Sequence, residues 1–233
     1  MHTIGLLGGM SWESTLSYYK ALNEGVRQRL GGLHSAPILL HSVDFAEIEQ
    51  YQRLGDWATM AQQLTDAAQG LEKIGADFIV LCTNTMHKIA PEIEGQLHIP
   101  LLHIADATGL QLRQDQRRKV GLLGTRFTME EDFYKQRLTD RFGIEVLVPD
   151  ETGREQIHRI IYDELCQGVI REDSRAIYLD VIQALHAQGA EGVILGCTEI
   201  ALLVQQGHTD IPLYDTTYLH AEQAVKQACG VES

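Results

Sequence analysis

Ile4-Gly5-Leu6-Leu7-Gly8 and Val120-Gly121-Leu122-Leu123-Gly124 are nearly the same five residues at two places in one chain. Each is a short apolar run closed by glycine, the pattern of a fully buried strand entering a tight turn. Two further pairs recur in the same order. Gly75-Ala76-Asp77-Phe78-Ile79-Val80-Leu81 returns as Gly189-Ala190-Glu191-Gly192-Val193-Ile194-Leu195, and Ile99-Pro100-Leu101 returns as Ile211-Pro212-Leu213. Three matched strands in register indicate duplicated halves.

The segments between the strands read as helices. After Gly8-Gly9, Ser11 is a candidate N-cap for a helical pattern over Trp12 to Leu30. Trp57, Met60, Leu64, Ala67, Leu71 and Ile74 fall on one helical face, and Gly75 stops the helix. Strands alternating with helices predict parallel sheets with right-handed crossovers. The fold class expected is α/β, with two similar parallel-sheet domains. The first takes residues 1–97 plus 214–233 and the second 98–213. Two such halves place a ligand site in the cleft between them.

The chain has 233 residues, enough for a sizeable core without staples, and 44% of them are hydrophobic. With 19 basic and 32 acidic residues its formal charge is −13, which argues against nucleic acid or an anionic membrane surface as the main partner. No run approaches the ~18 apolar residues of a membrane span, and the start has no basic leader. Cys82, Cys166, Cys197 and Cys229 lack disulfide-framework or metal spacing. The expectation is a cytoplasmic chain with reduced thiols and no metal.

In parallel sheets, ligands gather beyond the carboxyl ends of strands. Aligning the third strands sets Cys82-Thr83-Asn84-Thr85 against Gly196-Cys197-Thr198-Glu199, so Thr83 is the counterpart of Cys197. Cys197 precedes a helix-like segment, whose dipole and free N–H groups would favour thiolate. The competing reading is a small buried hydrophobe, as most free cysteines are. Strand alternation turns Cys82 away from whatever Thr83 faces, so core packing is expected there. Cys166 and Cys229 read as packing or surface. His87 and His103 read first as capping or core histidines, and Glu47, Glu49 and Asp132 as solvated helix faces. Gly8-Gly9-Met10-Ser11 and Gly124-Thr125-Arg126-Phe127-Thr128 are strand-to-helix turns suited to a single carboxylate rather than a nucleotide loop.

Ile4-Gly-Leu-Leu-Gly-Gly-Met10, Cys82-Thr83-Asn84-Thr85-Met86-His87 and Gly196-Cys197-Thr198-Glu199 together resemble the cofactor-independent aspartate/glutamate racemase family. Within that family the match is nearest to the bacterial broad-specificity and L-aspartate/glutamate-specific racemases. The resemblance implies pseudo-two-fold domains, a homodimer, and racemisation of a small amino acid by two opposed cysteines without pyridoxal phosphate. It carries the catalytic roles to Cys197 and Thr83. Substrate binding is carried to Met10, Gln52, Asn84, Thr85, Thr125, Thr128 and Thr198. The chain departs from the pattern in one place: Thr83 stands where the family has its first cysteine. A hydroxyl is far weaker as an acid than a thiol, so a slow or enantiomer-biased racemase is expected. Alternatives are a one-cysteine reaction, either decarboxylation or dicarboxylate isomerisation, and an amino-acid-binding protein without catalysis. No lysine appears near Glu164-Leu165-Cys166, so a neutral substrate such as homoserine stands beside aspartate and glutamate.

Overall fold

The computed structural model describes residues 1–230, and the chain divides into two compact units. One is Met1–Ile104 with the chain from His220 onward; the other is Ala105–Leu219.

The first unit has four parallel strands, β1 (Ile4–Gly8), β2 (Ile38–Ser42), β3 (Phe78–Leu81) and β4 (Leu101–Leu102), in the order β2-β1-β3-β4. Its helices are α1 (Trp12–Leu30), α2 (Phe45–Leu54), α3 (Trp57–Lys73) and α4 (Ala90–Glu94). Between them they supply the crossovers that parallel strands require. Ser11 caps α1 by accepting the Ser14 N–H, as its sequence position suggests. Asp56 caps α3 by accepting the Thr59 N–H at 3.1 Å and the Thr59 hydroxyl at 2.7 Å.

The second unit repeats the order with β5 (Lys119–Gly124), β6 (Glu145–Leu147), β7 (Val193–Gly196) and β8 (Leu213–Asp215), arranged β6-β5-β7-β8 and again all parallel. Its helices are α5 (Ile104–Gln114), α6 (Arg126–Glu130), α7 (Asp132–Phe142), α8 (Glu151–Asp163), α9 (Glu172–Ala187) and α10 (Ile200–Leu203). The last helix, α11 (Thr216–Ala228), carries the chain back to the first unit. The observed division lies a few residues beyond the boundaries read from sequence. Pairing is the reason: Ile79 opposite Leu101 holds β4 to the first sheet, and Leu195 opposite Asp215 holds β8 to the second.

Alternation along the strands builds the cores. In the first unit Ile4, Leu6, Phe78, Val80 and Cys82 pack with Tyr18, Leu22, Val26 and the α11 residues Ala221, Ala224, Val225 and Ala228. The intervening Leu7, Ile79 and Leu81 pack on the other face with Met60, Leu64 and Leu71 of α3. In the second unit Leu123, Val193 and Leu195 meet Ile157, Ile160, Tyr178 and Ile182 of α8 and α9. Each large side chain so buried contributes about 1.5–3 kcal/mol of hydrophobic stabilisation. Among the described residues no helix is long and apolar enough to cross a membrane.

Candidate active site

In the first unit β1 and β3 are neighbours, with Leu7 opposite Leu81, so the segments beyond their carboxyl ends emerge side by side. Met10 follows one; Thr83, Asn84 and Thr85 follow the other, Thr85 opening a 3₁₀ turn that runs to Ile89. Gln52 comes from α2, which follows β2. All five are buried, each 8% exposed or less. The Gln52 carbonyl oxygen, Oε1, is buried with no hydrogen-bond partner among the described residues, an arrangement that ordinarily costs about 1–3 kcal/mol.

A histidine cluster lies behind Thr83. His87 Nδ1 is 2.7 Å from the Thr83 carbonyl, and its Nε2 accepts the Ile104 N–H at 3.2 Å. Accepting at Nε2 requires the proton on Nδ1, so a neutral imidazole donates to Thr83. The His103 ring packs 4.5 Å from that of His87, and His220 lies 5.9 Å from it. His220 Nε2 donates to the Leu102 carbonyl at 2.8 Å, leaving Nδ1 to accept from the Tyr18 hydroxyl at 2.8 Å. His87 and His103 are thus buried and hydrogen-bonded or packed, the core role expected of them first. Cys82 is fully buried beside Phe78 and Val80, and burial pushes its thiol well above the ordinary range.

In the second unit β5 and β7 are neighbours, with Gly124 opposite Gly196. Thr125 and Thr128 follow one and Cys197 and Thr198 the other, and all four are buried. Position 196 excludes a side chain: a Cβ there would stand 2.8 Å from Leu122 Cδ1 and from the Leu123 carbonyl oxygen. Thr125 caps α6, its Oγ1 accepting the Thr128 N–H at 3.4 Å and lying 3.2 Å from Thr128 Oγ1. His158 of α8 steadies this turn by accepting the Arg126 N–H at 3.1 Å. Half-burial and the Arg126 charge hold its imidazole below the usual histidine range.

Cys197 does not match the sequence expectation of a favoured thiolate. Burial, then the charge of Glu199 and the proximity of Cys166, push its thiol well above the ordinary range. The helix that was to lower it, α10, has only four residues and starts at Ile200, too short to offset desolvation and a like charge. The thiol instead donates to Glu199 Oε2 at 3.0 Å, and the Thr198 hydroxyl donates to the same oxygen at 2.7 Å. Glu199 is itself only 3% exposed. Glu199 stands in the Gly196-Cys197-Thr198-Glu199 run, where its residue type alone gives it no distinct role. The signal was an acid two residues beyond a thiol in a buried turn.

Of the remaining candidates, Cys166 packs on the same core cluster as Cys197. Cys166 and Cys229 are half-buried, each against the core of its own unit. Glu47 and Asp132 are exposed on α2 and α7, and Glu49 is half-buried.

Two duplicated parallel sheets with buried polar side chains and a thiol at the carboxyl ends of matching strands define the class, and comparison with known proteins agrees. Residues 7–224 match the model of the Asp/Glu/hydantoin racemase family, and the chain belongs to that family, whose racemases are isomerases. It is similar over 98% of its length to a Yersinia pestis Asp/Glu racemase candidate of known structure, at 56% identity and a TM-score of 0.92, with all of that chain covered. The aspartate racemase homologue PH1733 from Pyrococcus horikoshii OT3 matches at 33% identity and a TM-score of 0.85, over 98% of this chain and 100% of that one. The broad-specificity amino-acid racemase RacX of Bacillus subtilis (strain 168) is 24% identical, across 99% of this chain and all of its own.

Proposed function

We propose that this protein racemises a small amino acid at its α-carbon without pyridoxal phosphate, with Cys197 as the principal acid/base. The observation carrying this reading is the buried Cys197–Glu199 hydrogen bond at a strand end. A neutral thiol beside a carboxylate holds one proton and one negative charge between them. Moving the thiol proton to Glu199 leaves the pair's net charge unchanged and exposes a thiolate that takes the substrate's α-proton. The reverse sequence returns a proton from sulfur to the carbanion. Thr83, the counterpart position in the first unit, serves the opposite proton face. Its hydroxyl must regain a proton from water as it gives one up, so this half-reaction is slow. The predicted enzyme therefore turns over one enantiomer much faster than the other.

Asn84, Thr85, Thr198, Thr125 and Thr128 are assigned to the substrate α-carboxylate, through hydroxyl, amide and turn N–H donors. The unpartnered Gln52 Oε1 suits the substrate ammonium, and Met10 lines the side-chain region. No lysine stands near Glu164-Leu165-Cys166, which leaves a neutral side chain such as homoserine beside aspartate and glutamate as the substrate. A cytoplasmic homodimer belongs to the same proposal.

The test is α-proton exchange in D₂O with L-aspartate, L-glutamate and L-homoserine, without added cofactor, followed by chiral separation and mass analysis. Deuterium incorporation with appearance of the D isomer is expected, and its loss by a factor of about 10²–10⁴ in Cys197→Ser. A Cys197→Ser protein that exchanges normally would falsify the assignment. A product lighter by carbon dioxide would replace racemisation with decarboxylation, and binding without exchange would leave a sensor.

A further inference from the structure

A cleft of about 730 Å³ opens in the second unit, lined by Arg113, Gln116, Arg117, Arg118, Phe142 and Gly143. Its lining carries three guanidinium groups and no carboxylate, in a chain whose formal charge is −13. Arg117 is committed: its Nε donates to the Tyr214 hydroxyl at 3.3 Å, and Asp115 and Glu191 act on it electrostatically. Glu191 is occupied in turn, accepting the backbone N–H of Arg118 at 2.7 Å. Arg113 and Arg118 are exposed and their side chains make no ion pair or hydrogen bond among the described residues, although the Arg118 charge acts on Glu191 through space.

Two features fix the shape of this cleft. The Phe142 ring lies so close to α5 that a Cβ at Gly109 would stand 2.4 Å from its Cδ2, so the aromatic wall is held in place. Gln116, at the turn leaving α5, has φ of 57°, the one positive value outside glycine among the described residues. Glycine is the unstrained choice for a left-handed residue after a helix. A glutamine there sets a carboxamide at the cleft despite the backbone preference.

We propose that this cleft binds a small polyphosphate-bearing molecule. Guanidinium groups match phosphate oxygens two at a time, and several converging on one cleft suit several linked phosphates better than one carboxylate. The volume is that of a nucleotide-sized ligand, and Phe142 offers a face for a base. The site is separate from the acid/base residues: β5 begins beside Arg118 and ends at Gly124, six residues or about 20 Å away along the strand. It stands independently of the racemase reading.

Titration calorimetry at low ionic strength with inorganic tripolyphosphate and with ATP tests it. Both should bind wild-type protein, with affinity falling as salt is raised. Arg113→Gln/Arg118→Gln should weaken each by about a hundredfold, while Arg27→Gln, on the first unit, should leave binding intact. ATP binding more tightly than tripolyphosphate, with the difference erased by Phe142→Leu, would assign the nucleotide; equal affinity would assign the polyphosphate alone. Absence of binding by both probes, equal binding by the double variant, or binding of an RNA oligomer in their place would overturn the proposal.

Discussion

At the residue scale, Cys197 and Glu199 make opposing demands that one substitution separates. Glu199→Gln removes a like charge from beside the thiol, so the thiol should ionise at lower pH than in the wild type. If Glu199 holds the proton during turnover, the same variant should exchange α-protons about a hundredfold more slowly. Alkylation of Cys197 by iodoacetamide across pH, run beside the exchange assay, reads both. Faster alkylation together with faster exchange would reduce Glu199 to a group that merely suppresses the thiolate. In the wild type, alkylation should still be climbing above the usual thiol range, because burial and Glu199 both raise that thiol. At position 83, Thr83→Cys should raise turnover of the D enantiomer relative to L, measured by circular dichroism from either isomer. An unchanged ratio would remove Thr83 from the reaction. The thiol and its counterpart were visible in the sequence as strand-end residues of a repeat. Glu199 as the thiol's partner was not, since a carboxylate beside a thiol has no pattern until folding buries both.

At the element scale, strands and long helices were legible because their signals are local. Phe78 to Leu81 is a strand for the reason the sequence suggests, an apolar run buried on both faces. The Trp57 helix begins at Trp57 and ends at Lys73, with Gly75 at a φ of 103° just beyond. The four-residue α10 was not legible: a helix that short has no periodicity to read, and the expected dipole effect on Cys197 went with it. The contacts of α1 and α11 were equally hidden, since Tyr18 and His220 meet across 202 positions. Tyr18→Phe would leave the buried His220 Nδ1 without its donor, and should destabilise the protein by about 1–3 kcal/mol in urea unfolding. A cost near zero would mean that water replaces the hydroxyl.

At the scale of the whole molecule, the repeat announced two sheets and the structure has them, strand for strand. The division points were less legible, because two- and three-residue edge strands such as β4 and β8 barely register in sequence. The buried thiols Cys82 and Cys197 and the buried phenols Tyr134 and Tyr178 all have raised pKa values. Such groups stay protonated in the folded chain after they ionise in the unfolded one. Their stabilisation is complete below about pH 8.5, the unfolded thiol value, and is lost as pH climbs toward the folded values. Unfolding free energy should therefore fall steadily from pH 8.5 to 10.5, by about 1 kcal/mol per pH unit for each group ionised only in the unfolded chain, and the melting temperature should fall with it. Cys82→Ala should melt lower at pH 7 yet show a shallower alkaline decline.

The path of the chain orders events on the ribosome. Ala105–Leu219 is continuous, so every strand of its sheet is present once that stretch has been synthesised. The other unit starts first, but the face of β1 and β3 that α1 covers in part is not completed until Ala221, Ala224, Val225 and Ala228 emerge. The half translated earliest is thus completed last, and its exposed apolar strands are what a chaperone would meet during most of synthesis.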